Sequence, residues 1–191
     1  MKIVGVILAG GQGRRMGAEK ALVRLAGQSL IAHVHARLVP QVAAVVISAN
    51  GDPARFDLSG VPVLPDRRGE SGLGPMAGVR AGLDWAAGCG AEALVTVATD
   101  TPFLPCDLVA RLAAAGGLAH AQSLDRDHYT AALWPLAVRD RIDALFAANE
   151  RRMRLYLQGA VAVPFDANPD PFANLNTPED VARAQALLEG E

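Results

Sequence analysis

Apolar residues in this chain fall in short unbroken runs separated by polar and glycine-rich stretches. Residues 3–8, 43–48, 61–65 and 93–99 are such runs, of strand length and rich in β-branched side chains. Runs that are apolar throughout, rather than at alternate positions, predict strands covered on both faces, as in a parallel sheet between helices. Elsewhere the period lengthens. Leu30, Ile31, Val34 and Leu38 share one face of a helix over residues 30–38, with Ser29 as N-cap and Pro40 as its stop. Residues 79–87 read as a helix whose first turn accommodates Pro75, and Thr177-Pro178-Glu179-Asp180 opens a closing helix that runs through Leu188. The second half alternates less clearly: residues 118–122 and 129–134 predict a hairpin around the polar turn Asp125-Arg126-Asp127-His128. Residues 138–149 and 151–158 predict helices. The pattern is that of an α/β fold with a mostly parallel central sheet and helices on both faces, in a single domain over residues 1–191.

The ends of the strands carry the chemistry. The first runs into Leu8-Ala9-Gly10-Gly11-Gln12-Gly13-Arg14-Arg15-Met16-Gly17, with Lys20 three residues on. Glycine backbone approaches a ligand closely and turns its N–H groups toward an anion, while Arg15 and Lys20 supply opposite charge. This is either a phosphate-binding loop or a flexible turn with a basic rim. It is not a Walker A loop, since Glu19 and Ala21 flank Lys20, and Met16 breaks the dinucleotide fingerprint. A second glycine-rich loop, residues 69–78, leads into a helix and contributes Gly74 to the same edge. Asn50 and Asp66 close the second and third strands, as contacts to base or ribose or as turn residues only. Asp100 ends the most strand-like run, where it serves either as a Mg²⁺ ligand or as a turn cap.

Composition narrows the picture. A formal net charge of −2 excludes general attraction to nucleic acid or to an anionic membrane. Lys2 and Lys20 are the only lysines among 18 basic residues, so the glycine loop ends on a residue the chain otherwise hardly uses. A compact ammonium suits a phosphate better than a planar fork does. Cys89 and Cys106 have no zinc-like spacing, and reduced, partly buried thiols imply a cytoplasmic protein. The N-terminal apolar run enters the glycine loop rather than a cleavage site, so it reads as a strand and not a leader. Asn174 and Asn176, two apart in an extended segment, face the same side. Arg151, Arg152 and Arg154 form either a solvated helix face or a basic lip for a second anionic substrate.

Taken in order, Leu8-Ala9-Gly10-Gly11, Arg14-Arg15-Met16-Gly17, Lys20, Asp66, Gly74-Pro75-Met76-Ala77-Gly78, Asp100-Thr101-Pro102, Glu150-Arg151-Arg152 and Asn174-x-Asn176-Thr177-Pro178 resemble the molybdenum cofactor guanylyltransferases, the MobA family, over nearly the full length. The resemblance implies a Rossmann-like three-layer nucleotidyltransferase fold. It also implies transfer of GMP from GTP to the terminal phosphate of molybdopterin carrying molybdenum, with release of pyrophosphate. It assigns nucleotide contacts to Leu8, Ala9, Gly10, Gly11, Lys20, Asn50, Asp66, Gly74 and Asp100, with Asp100 also holding Mg²⁺. Arg15, Lys20 and Asp100 would then be catalytic. Asn174, Asn176 and Arg152 would orient the acceptor. Relatives with Leu-Ala-Ala-Gly in the first loop tend to use CTP, and the second glycine here, Gly11, favours GTP. Other cofactor-biosynthesis proteins or molybdoenzyme chaperones would be the protein partners. The competing expectations are a cytidylyltransferase or sugar-phosphate nucleotidyltransferase on the same scaffold, and a nucleotide-binding module without turnover.

Overall fold

The computed structural model describes residues 1–10 and 19–189, so Gly11 and Arg15 lie outside the described residues. Its centre is a seven-stranded sheet built from β1 (Ile3–Leu8), β4 (Val45–Ser48), β5 (Val63–Leu64), β6 (Ala93–Ala98), β7 (Ala119–Ser123), β8 (Arg126–Pro135) and β9 (Val161–Pro164), in the order β5-β4-β1-β6-β8-β7-β9. β5, β4, β1 and β6 run parallel, β8 is antiparallel to both β6 and β7, and β9 is parallel to β7. The two remaining strands, β2 (Arg24–Leu25) and β3 (Gln28–Ser29), form a small separate hairpin.

Both faces of the sheet are covered, which explains the unbroken apolar runs. In β1, Ile7 packs on one side with Val95 and Val97, against α1 (Leu30–Leu38) and, through Leu108 and Leu112, α3 (Leu108–Ala114). Val4 and Val6 pack on the other with Leu94, against α2 (Pro75–Gly88), α4 (Arg139–Ala147) and α5 (Met153–Tyr156). Thr96 is the polar exception in β6. Its hydroxyl donates to the Thr130 carbonyl at 2.9 Å and accepts from Trp134 Nε1 at 3.0 Å, so the buried oxygen is satisfied. Finally α6 (Pro178–Glu189) seats Ala184 against Leu25, Leu30 and Leu175. Among the described residues no helix is long and apolar enough to cross a membrane.

Several local expectations are corrected. The β7–β8 turn is Leu124-Asp125, both at positive φ, and not residues 125–128. His128 therefore belongs to β8, where its ring stacks on Phe172 and Nε2 meets the Ser123 hydroxyl at 2.7 Å. The expected helix over 151–158 shrinks to α5, because the backbone is extended at Arg152 (φ −83°, ψ 111°) and leaves the helical region at Leu157 (φ −98°, ψ 14°). Cys106 is exposed rather than partly buried. β9 and the β2–β3 hairpin have no counterpart in the apolar pattern, being short and lying at an edge or outside the sheet.

Candidate functional site

The C-terminal tips of β1, β4, β5 and β6 converge on a cavity of about 600 Å³, within the usual range for a small-molecule site. Leu8 and Gly10 line it from the first strand, Asn50 from the second and Asp66 from the third; Asp100 stands at the end of β6. In open α/β sheets this edge is where ligands sit, because the loops there splay from a rigid platform. Ala9 does not line the cavity: its side chain is buried in the core and its N–H donates to the Ser48 carbonyl at 2.9 Å.

Lys20 reaches the cavity from a single 3-10 turn, Lys20–Leu22, pinned by the buried methyl of Ala21. Its Nζ lies 2.9 Å from Asp100 Oδ2, and it also donates to Asn176 Oδ1. The charges that the glycine loop and the strand tip were expected to supply are thus brought together. Their side chains keep only 21% and 20% exposure, enough shielding to strengthen the pair while leaving it open to the cavity.

Asn50 and Asp66 also meet. Asn50 Nδ2 donates to Asp66 Oδ2 at 2.6 Å, and the Asp66 N–H returns a bond to Asn50 Oδ1 at 3.0 Å. This two-way clamp joins the ends of β4 and β5 and presents an amide and a carboxylate side by side. Beyond it the second glycine loop brings Gly72 and Gly74 to the cavity at φ of 81° and 89°, a conformation suited to glycine. Pro75 then opens α2, whose first turn points into the same space.

A second cavity, of about 440 Å³, adjoins at Asn176 and is lined also by Asn174, Phe103, Asp170, Arg126 and Arg183. The strap that carries the two asparagines is tied at both ends. The Leu175 N–H donates to the Asp100 carbonyl at 2.8 Å, and the N–H groups of Asn176 and Thr177 both donate to Asp180 Oδ2 at 2.9 Å. Asp180 N–H in turn donates to the Thr177 hydroxyl, completing a reciprocal helix cap. The Asn176 and Thr177 N–H groups hold the Asp180 carboxyl below its usual range, the Asn176 bond contributing most.

Arg152 is not brought to either cavity. Glu150 grips it through both carboxylate oxygens, at 2.9 and 2.7 Å, beside α5. Arg152 is therefore held on a local acid, while Arg151 donates to the Phe146 and Glu150 carbonyls. Conversely, Ser48, Thr99 and Thr130 line the nucleotide-sized cavity without having been singled out. Ser48 and Thr99 were visible as polar endings to apolar runs.

Solved structures share this architecture. Molybdopterin-guanine dinucleotide biosynthesis protein A from Archaeoglobus fulgidus superposes with a TM-score of 0.76 at 23% identity, over 98% of this chain and 100% of that one. A CMP:2-keto-3-deoxy-manno-octonic acid synthetase complexed with CTP superposes with a TM-score of 0.77 at 15% identity, over 100% and 99%. These likenesses establish the fold. The sequence goes further: residues 5–163 match the MobA-like NTP transferase domain, and the chain belongs to that family. It is 75% identical over 188 residues to the molybdenum cofactor guanylyltransferase of Rhodobacter capsulatus, covering 98% of this chain and 97% of the relative. To the enzyme of the same name from Cereibacter sphaeroides it is 49% identical over 193 residues, covering 98% of each.

Proposed function

We infer that this protein transfers GMP from GTP to the terminal phosphate of molybdenum-bearing molybdopterin, releasing pyrophosphate. The observation that carries the reading is the Lys20–Asp100 contact of 2.9 Å, which sets a cation and a carboxylate over one cavity ringed by glycine backbone. Near-full-length identity to guanylyltransferases supports the base and the acceptor.

In the proposed reaction an oxygen of the acceptor phosphate attacks the α-phosphorus in line, and the bond to the β-phosphate oxygen breaks. The protein's contribution is positioning and charge neutralisation. Lys20 moves its ammonium onto the triphosphate and stabilises charge that grows on the departing pyrophosphate. Arg15, outside the described residues, shares that charge. Asn50 and Asp66 orient the nucleoside, and Gly74 offers backbone at the base edge. Asn174 and Asn176, lining the second cavity, hold the acceptor so that its phosphate reaches Asp100 and Lys20. A phosphate is already ionised near neutral pH, so the attack requires no general base.

The donors present fit Mg²⁺ carried in with the triphosphate. Among the described residues no group of three or more carboxylate, histidine or cysteine side chains converges; two carboxylates, Asp66 and Asp100, line the cavity, and Asp100 is the one beside Lys20. Magnesium binds in this way, through one or two carboxylates with substrate phosphates and water. Bound there, the ion would withdraw charge from the phosphate oxygens.

The test is turnover with GTP and with CTP, using molybdenum-bearing molybdopterin and a sugar phosphate as acceptors. Pyrophosphate release dependent on Mg²⁺, fastest with GTP and the pterin, is the expected result. Preference for CTP or for the sugar phosphate would overturn the assignment, as would tight GTP binding with no pyrophosphate released.

A further inference from the structure

The second glycine loop has a feature that its glycines do not explain. Between Asp66 and Pro75 the chain places glycines at 69, 72 and 74, all at positive φ, and such backbone has little intrinsic order. Yet Gly72 and Gly74 form one wall of the nucleotide cavity. Something must hold that wall in place.

Two side chains of the loop do so by reaching away from the cavity. Arg67 grips Asp84 of α2 through Nε and Nη2, at 2.6 and 2.8 Å, and reaches Asp143 of α4 at 3.0 Å. Glu70 receives Arg80 of α2. Arg80 is itself a fixed post: its guanidinium donates to Asp143 at 2.8 Å and lies 4.2 Å over the Phe146 ring. The Glu70 backbone sits at the centre of the loop's two turns, accepting from the Leu73 N–H at 3.1 Å and donating to the Arg67 carbonyl at 2.9 Å.

The Glu70–Arg80 pair is well shielded, at 15% and 10% side-chain exposure, and Glu70 Oε2 is buried with no hydrogen-bond partner among the described residues. A half-satisfied buried carboxylate is a poor way to gain stability, since apolar replacements for buried ion pairs are often neutral or better. What such a pair does supply is a fixed distance between the loop and α2.

We propose that Glu70, held by Arg80, is a positioning residue that sets the glycine wall against the base, and so governs nucleotide affinity and base choice rather than phosphate chemistry. The proposal rests on the nucleotidyltransferase reading of the cavity and adds a residue that lines neither cavity.

Steady-state kinetics of full-length Glu70→Gln test it. The carboxamide keeps the shape and loses the charge that Arg80 holds. KM for GTP should rise about tenfold with kcat within about twofold, and the preference for GTP over CTP should narrow by a similar factor. Arg111→Gln, which removes an exposed ion pair to Asp107 at α3, remote from the loop and from its ion network, is the structural control and should leave KM and base preference unchanged. Unchanged KM and base preference in Glu70→Gln would overturn the proposal, as would equal effects in both variants. Should Glu70→Gln fold poorly, Glu70→Asp, with the charge retained on a shorter arm, must give an intermediate KM, and a wild-type KM there would refute it. Wild-type turnover reports separately on the reaction itself, because failure of GTP to react at all would leave no KM to shift.

Discussion

Lys20 Nζ lies 2.9 Å from Asp100 Oδ2 although 80 positions separate the two residues in the chain. The fold joins the end of a glycine loop to the tip of a buried strand, and Asn176 joins both from a third segment. One contact therefore connects the proposed triphosphate site to the proposed acceptor site. Among the described residues, Lys20 is the cation lining the larger cavity and Asp100 is its immediate counter-charge.

Replacing either partner should separate chemistry from stability. Loss of one well-aimed electrostatic group costs about 10²–10³ in kcat where it acts on transition-state charge. An ion pair open to solvent is worth only about 0.2–1 kcal/mol. Lys20→Met and Asp100→Asn should thus each lower pyrophosphate release about 100-fold or more, while thermal midpoints fall by no more than about 2–4 °C. Near-normal turnover in Asp100→Asn with saturating Mg²⁺ would remove Asp100 from the metal role.

Asn50→Ala breaks the clamp to Asp66 at both ends, leaving a carboxylate and a backbone N–H at the cavity rim without their partner. A hydrogen bond to a charged group contributes roughly 1.5–3 kcal/mol, so KM for GTP should rise about tenfold or more. kcat should stay within about twofold, because the clamp lies on the nucleoside side. A fall in kcat at constant KM would place Asn50 in the chemistry instead.

How much of this was legible in the chain depended on whether the signal was local. β1 and β6 are buried on both faces, so their apolar runs stand out, and the polar residues that follow the strands, Asn50, Asp66 and Asp100, are among those that line the larger cavity. The Thr177-Pro178-Glu179-Asp180 cap was equally local, and its bonds form as its spacing requires. The ion network of Arg67, Glu70, Arg80, Asp84 and Asp143 spans a loop and two helices, and no periodicity links such residues. Arg152 was less legible, because a basic run looks the same whether it faces a substrate or a neighbouring acid, and in the fold Glu150 holds it. The β7–β8 turn misled for a different reason, since Leu124 adopts positive φ without any asparagine or glycine to announce it.

Packing between α2 and the sheet gives a stability prediction free of chemistry. A Cβ on Gly82 would come 2.8 Å from Val6 Cγ2 and 2.9 Å from Leu94 Cδ2, both from strands of the central sheet. Alanine gains roughly 1 kcal/mol of helix propensity over glycine, but overpacking a dense core costs about 1–3 kcal/mol. Gly82→Ala should therefore be destabilising by about 1 kcal/mol net, lowering the urea midpoint with an unchanged slope. A more stable variant would mean that α2 moves away from the sheet at little cost.

The acid limb of stability offers the last test. Glu150 accepts from the Arg152 side chain and from the N–H groups of Arg152 and Arg151, the side-chain bonds contributing most, and its carboxyl is pulled from 4.5 to about 2. A folded value below the unfolded one means that the charged form is favoured by folding. The contribution of Glu150 is thus fully present above pH 4.5 and is lost as pH falls from there toward 2. Asp143 and Asp180 are also held low, so the wild-type slope alone does not isolate Glu150. The difference between wild type and Glu150→Gln does. Urea unfolding should show the wild type more stable at pH 6, with the gap closing as pH is lowered through that window. A gap that stays constant down to pH about 2.5 would show that the Arg152 contact does not persist in solution.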